Sequence, residues 1–119
     1  MSSIVPGRRV RGSRSGRPIM VVLDLMGRRM ALRILWELAS SGEPLTFRAL
    51  QTAAQTNPSV LNSRLKELRD ARIVEHGGAG YQLSTVGEGL VALLLPLHAW
   101  AEDWAAELGA RARPAARSQ

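Results

Sequence analysis

Hydrogen-bonding side chains recur on one side of the segment 59–71. Three leucines in it are spaced by four and three residues, so on an α-helix they form one narrow apolar stripe: Leu61, Leu65 and Leu68. The opposite side carries Ser59, Asn62, Ser63 and Lys66, with Arg64 and Arg69 on its flanks. An amide can form two hydrogen bonds to adenine, an ammonium can reach guanine acceptors, and a hydroxyl suits either base. The pattern predicts a helix whose outer face contacts base edges in the major groove.

Basic and polar residues near this helix are suited to the phosphate backbone. Arg48, Arg64 and Arg69 are expected to bind phosphates, which give affinity and register but little specificity. Asn57 and His76 complete the predicted DNA-binding surface. The alternative for each residue is plain solvation, because the outer face of any surface helix is polar.

Two short helices joined by a tight turn have to position these side chains. Thr46–Ala53 is predicted as the first helix and Ser59–Ala71 as the second. Between them, Asn57 is a suitable N-cap and Pro58 suits the first helical position. The sequence therefore predicts a helix-turn-helix.

A β-hairpin is predicted directly after the second helix. Its strands are residues 73–76 and 81–84, and its turn is Gly77–Gly80. Helix, turn, helix and hairpin in this order predict a mainly α fold with a small β-hairpin wing, the winged helix-turn-helix.

Apolar helices are predicted on both sides of this unit, over 19–26, 30–40 and 85–108. The first half of the last helix is apolar around its full circumference, so all its sides must be buried. The rest of a 119-residue chain is too small to bury this helix on all sides. We therefore expect a homodimer formed by the N- and C-terminal helices, with contacts from Met20, Leu23, Leu90, Leu94, Leu97, Trp100 and Trp104.

The net charge of +6 is concentrated in the two ends of the chain. Residues 1–17 are predicted as a flexible basic arm, 18–108 as the winged domain with its dimerisation helices, and 109–119 as a basic tail. Arg8, Arg9 and Arg11 in the arm are expected to bind phosphates without reading sequence. The alternative is a solvated tail reflecting high genomic GC content, which the single lysine, Lys66, supports.

Several classes of site are disfavoured by composition. The chain has no cysteine, which excludes disulfides, thiolate metal sites and cysteine nucleophiles. His98 has only Glu102 as a carboxylate candidate at helical spacing, and no phosphate-loop signature or metal-ligand cluster occurs. The longest apolar run is far below the ~20 residues that span a bilayer. We expect a cytoplasmic, nucleoid-associated protein that is not an enzyme and uses no cofactor, metal or membrane.

Three parts of the chain carry a family resemblance: Leu23–Gly27 with Ile34–Leu38, Pro58–Leu68, and Leu83–Gly87 through Trp100–Trp104. They are similar to the opening, the recognition helix, and the post-wing signature and closing helix of the HxlR-type transcription regulators, winged-helix relatives of MarR. The similarity covers residues 20–105.

The resemblance implies a homodimer that binds operator double-stranded DNA with two recognition helices and two wings. It also allows a small-molecule effector, for which a pocket between the dimer helices would be lined by Trp36, Trp100 or Trp104.

The chain departs from the family at Met30, usually tryptophan, and at Arg72, usually glycine. Its turn at 55–57 and its neutral wing at 77–80 are shorter, so the arginine arm is a candidate replacement for wing contacts.

Two other functions fit the same sequence. A sequence-tolerant architectural protein would bind DNA mainly through its arms and would show a steep salt dependence with a small specificity ratio. A winged-helix protein-interaction module without DNA binding is favoured by the nearly neutral body and the short wing.

Overall fold

The computed structural model describes residues 16–112, with side chains through residue 110. Five α-helices and one two-stranded antiparallel hairpin follow one another in this part of the chain. Their bounds are α1 Pro18–Met26, α2 Ala31–Ser41, α3 Phe47–Ala54, α4 Pro58–Asp70, β1 Val74–Gly77, β2 Gly80–Leu83 and α5 Thr85–Ala112. This order confirms the predicted mainly α fold with a hairpin wing.

Cap geometry marks the starts of α3 and α4 and the end of α2, and it confirms the predicted capping role of Asn57. The Thr46 hydroxyl accepts a hydrogen bond from the Ala49 N–H at 3.1 Å, at the start of α3. The Asn57 Oδ1 accepts one from the Val60 N–H at 2.8 Å, and Pro58 follows as the first residue of α4. Each cap satisfies an N–H group that has no partner inside its helix. Gly42 ends α2 at φ +74°, a conformation in which glycine avoids the steric penalty of a Cβ.

The hairpin turn is shorter than the predicted four residues, and that prediction is wrong. Gly77 pairs with Gly80 in the ladder, so only Gly78 and Ala79 form the turn. The strands accordingly lie at 74–77 and 80–83 rather than 73–76 and 81–84. Two glycines that looked like loop residues, Gly77 and Gly80, extend the pairing because they are partners in the ladder.

A third extended segment, at Leu45, pairs with the hairpin. The Leu45 N–H donates to the Tyr81 carbonyl at 2.9 Å, and the Tyr81 N–H donates to the Leu45 carbonyl at 2.7 Å. A Cβ on Gly80 would lie 2.5 Å from the Leu45 carbonyl oxygen, and the φ of this residue is +132°. The short Cβ distance and the positive φ both require glycine at position 80. The two hydrogen bonds between Leu45 and Tyr81 join the wing to the start of the helix-turn-helix.

The core lies where α2, α3 and α4 meet the hairpin. The leucine stripe of α4 is completely buried there, as predicted, together with residues of α1, α2 and α3. The fully buried large side chains are Leu25, Ile34, Leu35, Leu50, Leu61, Leu65 and Leu68. Burial of each such side chain stabilises the fold by roughly 1.5–3 kcal/mol. This packing turns the opposite face of α4 to solvent.

Helix α5 is joined to the end of α4 through a tight contact at Ser84 and Gly87. The buried Ser84 hydroxyl donates to the Arg72 carbonyl at 2.7 Å and accepts from the Gly87 N–H at 2.9 Å. A Cβ on Gly87 would lie 2.1 Å from the Ile73 carbonyl oxygen. The start of α5 therefore packs directly on the backbone that leads from α4 into β1.

Arg72 occupies the left-handed position at which the resembling family usually has glycine. Its φ is +63°, its N–H donates to the Arg69 carbonyl, and its carbonyl is the acceptor for Ser84. A non-glycine residue in this conformation costs roughly 1–2 kcal/mol because its Cβ approaches the carbonyl oxygen. The junction between α4 and the wing thus holds local strain.

Replacing Arg72 with glycine is expected to raise the free energy of unfolding. The relief of strain exceeds the extra unfolded-state entropy of glycine, leaving about 0.5–1 kcal/mol of stabilisation. Urea unfolding at one fixed protein concentration measures the difference. Arg72→Ala is the matched control, because it removes the guanidinium but keeps the Cβ, and should leave stability nearly unchanged. Equal stability of the Gly and Ala variants would show that the backbone at position 72 is unstrained.

Helix α5 extends beyond its predicted end at Leu108 and runs to Ala112. At 1.5 Å per residue its 28 residues span about 42 Å, most of the 52 Å long dimension of the protomer. The C-terminal half of α5 therefore extends beyond most of the chain's other elements and packs against few of them. Within residues 16–112, no helix is long and apolar enough to cross a membrane.

Candidate DNA-binding and dimerisation surfaces

The outer face of α4 presents the side chains that the sequence assigns to base contacts. Ser59, Asn62, Ser63 and Lys66 are all exposed, on the side opposite the buried leucines. Lys66 Nζ lies 3.3 Å from Asp70 Oδ2, and the lysine side chain is 65% exposed. An exposed pair of this kind contributes little to stability, so Lys66 can exchange Asp70 for another acceptor at small cost. The structure brings these four residues together on one surface.

Asn57 lies at the N-terminal end of this surface, where it caps α4. Its Oδ1 is engaged by the Val60 N–H, while the residue as a whole is exposed. The amide nitrogen of the same side chain remains a donor, and the N-terminus of a helix favours anions such as phosphate. Arg48 and Arg69 are exposed near the two ends of the helix pair.

Arg64 differs from the other basic residues because it is mostly enclosed. Its side chain is 18% exposed, and its Nε lies 3.2 Å from Glu67 Oε1. The two atoms are buried and are not aligned for a hydrogen bond. Close approach without hydrogen-bond geometry gives Coulomb attraction only, so Arg64 belongs to an ion-pair network rather than to the open face of α4.

That network connects α4 to the N-terminal helix. Arg28 donates to Glu67 Oε2 at 2.7 Å and to Asp24 Oδ2 at 3.0 Å. Two guanidinium groups and two carboxylates thus alternate from Asp24 of α1, through Arg28 in the following loop, to Glu67 and Arg64 of α4. Sequence spacing could not reveal it, since Arg28 and Glu67 are 39 residues apart.

His76 is held on the wing by its cross-strand neighbour. Its ring stacks on Tyr81 with a centroid separation of 3.9 Å and an interplanar angle of 2°. Tyr81 is buried and His76 is exposed, so the tyrosine fixes the direction of the imidazole. Arg8, Arg9 and Arg11 lie outside the described residues.

A continuous apolar stripe follows the solvent side of α5. Leu93, Leu97, Trp100, Trp104 and Leu108 are spaced by four, three, four and four residues, which places them on one helix face. Their exposed fractions range from 47% to 73%. The rings of Trp100 and Trp104 are stacked, with centroids 5.6 Å apart. The expected interface set omitted Leu93 and Leu108, although their spacing was visible in the sequence.

Other members of the expected interface divide between the surface and the core. Met20 and Leu23 are exposed on α1, at 38% and 57%. Leu90 packs against the core of its own protomer, and Leu94 is half-buried beside α2. The side chains of Leu90 and Leu94 are therefore partly buried within the chain itself, whereas those of Leu93 and Leu97 remain exposed.

One of the three tryptophans lines a recess between α2 and α5. Trp36 lines a recess of about 170 Å³ with Leu94, Leu97 and His98, and its ring lies 5.1 Å from that of His98. Trp100 and Trp104 are not among its lining residues and stay on the exposed stripe. A larger apolar cavity, of about 380 Å³, lies instead among α1, the end of α4 and the start of α5.

Two packed helices, an exposed polar face on the second, and a hairpin after it define a winged helix-turn-helix protein. The sequence model of the family described as HxlR-like helix-turn-helix matches residues 25–108. The chain belongs to this family, a family of DNA-binding regulators rather than of enzymes. In comparisons with curated proteins and with solved structures, no match was found.

Proposed function

We propose that this protein is a homodimeric, sequence-specific, double-stranded-DNA-binding transcriptional regulator that acts in the cytoplasm. The observation that carries the proposal is the exposed face of α4, where Ser59, Asn62, Ser63 and Lys66 stand opposite the buried leucine stripe. With this helix in the major groove, Asn62 is suited to adenine and Lys66 to guanine. Arg48 and Arg69 bind the adjacent phosphates, and Asn57 and His76 contact the backbone at the two ends of the surface.

The dimer is proposed from the apolar stripe of α5 and the exposed face of α1. Five large apolar side chains on one helix face exceed what a monomer exposes without a partner. A second copy supplies the same stripe, and twofold pairing of identical helices is the commonest form of oligomer. The two α4 helices then approach successive turns of the major groove.

Replacing Asn62 with alanine is expected to weaken operator binding by about 30-fold or more and to relax base preference at one position of each half-site. The dimer loses one bidentate base contact in each half-site, and each contact is worth roughly 1–3 kcal/mol. Binding to an unrelated duplex should stay unchanged, because phosphate contacts remain. Fluorescence anisotropy with operator and single-base variants measures both effects.

Ser40→Ala is the control for the Asn62 variant, since it removes an exposed polar group on α2, away from the proposed surface. If Asn62→Ala and Ser40→Ala bind every duplex like the natural protein, Asn62 does not read bases. The sequence-tolerant architectural alternative would then be favoured.

Arm-driven binding is the second candidate, favoured by the contrast between the net charge of +6 and the nearly neutral folded body. Replacing Arg8, Arg9 and Arg11 with glutamine should reduce the slope of log affinity against log salt by about 2 to 3 for each arm that contacts DNA. Asn62→Ala, which keeps the arm arginines, is the control for the triple variant and should leave the salt slope unchanged. An unaltered slope in the triple variant would exclude the arm as a phosphate-binding element.

A further inference from the structure

A polar recess of about 610 Å³ lies between the end of α1 and the flank of α4. Its lining includes Leu23 and Asp24 of α1 and Arg64 and Glu67 of α4. Most of the side chains around it are charged. Contacts between charged groups, rather than close apolar packing, therefore set the separation of α1 and α4 at this place.

Arg28 spans this recess with a single guanidinium group. Its Nη1 donates to Glu67 Oε2 at 2.7 Å, and its Nη2 donates to Asp24 Oδ2 at 3.0 Å. The three side chains are between 16% and 23% exposed, so solvent and salt screen their charges less than at an open surface. Charge-assisted hydrogen bonds from a planar, rigid guanidinium fix direction as well as distance.

The two carboxylates bound by Arg28 belong to elements with different proposed roles. Asp24 follows Leu23, which is 57% exposed on the α1 side of the proposed dimer interface. Glu67 lies one helical turn after Ser63, which is on the outer face of α4. Rotation or tilting of α4 relative to α1 would lengthen at least one of the two hydrogen bonds. The Arg28 bridge therefore opposes such movement.

We propose that Arg28 is a positioning residue that sets the orientation of α4 relative to the dimer helices, and thereby the half-site spacing that the protein accepts. This inference rests on the proposed dimeric DNA-binding function. Two α4 helices fit successive turns of the major groove only at a defined separation. One additional base pair between the half-sites rotates one of them by about a tenth of a turn, which a rigidly held pair of helices does not follow.

A distance measurement between the two α4 helices tests the positioning directly. The chain contains no cysteine, so Ser59→Cys gives one nitroxide label per protomer, at an exposed position of α4. With the full chain and no DNA, double electron–electron resonance should give a narrow distribution of distances between the two labels. Adding Arg28→Gln should broaden this distribution by about 1–2 Å, the scale of helix shifts at packed interfaces.

Three further variants separate the bridge from charge and from general damage. Arg29→Gln is the matched control, because Arg29 is exposed and takes no part in the ion-pair network, and it should leave the distribution unchanged. Glu67→Gln removes the charge at the α4 end with little change of shape, and it should broaden the distribution as Arg28→Gln does. Arg28→Lys keeps the charge without the rigid fork, so it should restore the natural width only in part.

An unchanged distribution in both Arg28→Gln and Glu67→Gln would overturn the positioning role. Full restoration by Arg28→Lys would overturn the requirement for a guanidinium bridge. Absence of any dipolar signal in the labelled protein with Arg28 intact would instead contradict the proposed dimer, and this inference with it.

The effect on DNA is tested separately, without the label, on the selected operator and on versions one base pair longer and shorter. Arg28→Gln should reduce the preference for the selected spacing by about fivefold or more and keep the base preference within each half-site. A loss of stability alone would weaken binding to all three duplexes alike. The natural spacing preference in Arg28→Gln would overturn the link to the operator, whereas failure of the natural protein to bind any duplex would contradict the proposed function.

Discussion

Replacing Leu97 with aspartate is expected to convert the proposed dimer into monomers at micromolar concentration. Leu97 lies in the middle of the α5 stripe and is 54% exposed in the protomer. In a twofold dimer each substitution occurs twice, so two carboxylates would be buried in an apolar interface. The expected loss is about 4 kcal/mol, roughly a thousandfold in the dissociation constant of the dimer.

Sedimentation velocity over a range of protein concentrations measures this change. Ala99→Asp is the matched control, because it adds the same charge to an exposed position of α5 away from the stripe. The control should remain dimeric. If Leu97→Asp dimerises like the natural protein, the stripe is not the dimer interface.

Replacing Gly87 with alanine is expected to reduce the free energy of unfolding by about 3 kcal/mol or more. The added Cβ would lie 2.1 Å from the Ile73 carbonyl oxygen and 3.1 Å from its carbonyl carbon. Backbone cannot move aside as a flexible side chain can, so the start of α5 would have to shift. That shift would also pull the Ser84 hydroxyl away from the Arg72 carbonyl.

Gly89→Ala is the control for this change and should have the opposite sign. It lies two residues further along the same helix, and nothing lies within 4 Å of its added Cβ. Alanine there should stabilise the protein by about 0.5–1 kcal/mol, the difference in helix propensity. Urea unfolding at one protein concentration compares the three proteins. Equal stability of Gly87→Ala and the natural protein would mean that α5 does not pack on the Ile73 carbonyl.

The local part of the fold was predictable because its signals lie within a few residues of one another. Asn57 and Pro58 mark the start of α4 by cap chemistry, and the spacing of its leucines marks the buried face. Neither signal requires knowledge of the rest of the chain.

The parts that were missed depend on contacts between distant segments. Glu67 follows Arg64 by three residues in the sequence, but nothing there shows that Arg28 shares the same carboxylate. The need for glycine at position 87 is visible only once the Ile73 carbonyl is seen beside it. At Arg72 the departure from the family's usual glycine marked the position in the sequence, and the structure shows that its φ is positive.

Selection of binding sites from a random duplex library at roughly physiological salt tests the central claim most directly. A dimer that inserts two α4 helices should enrich an inverted repeat with half-site centres about 10–10.5 base pairs apart. The same full-length protein carrying Asn62→Ala should lose one base preference in each half-site. Recovery of DNA without any enriched repeat, or of no DNA, would contradict a dimeric regulator that reads sequence through α4.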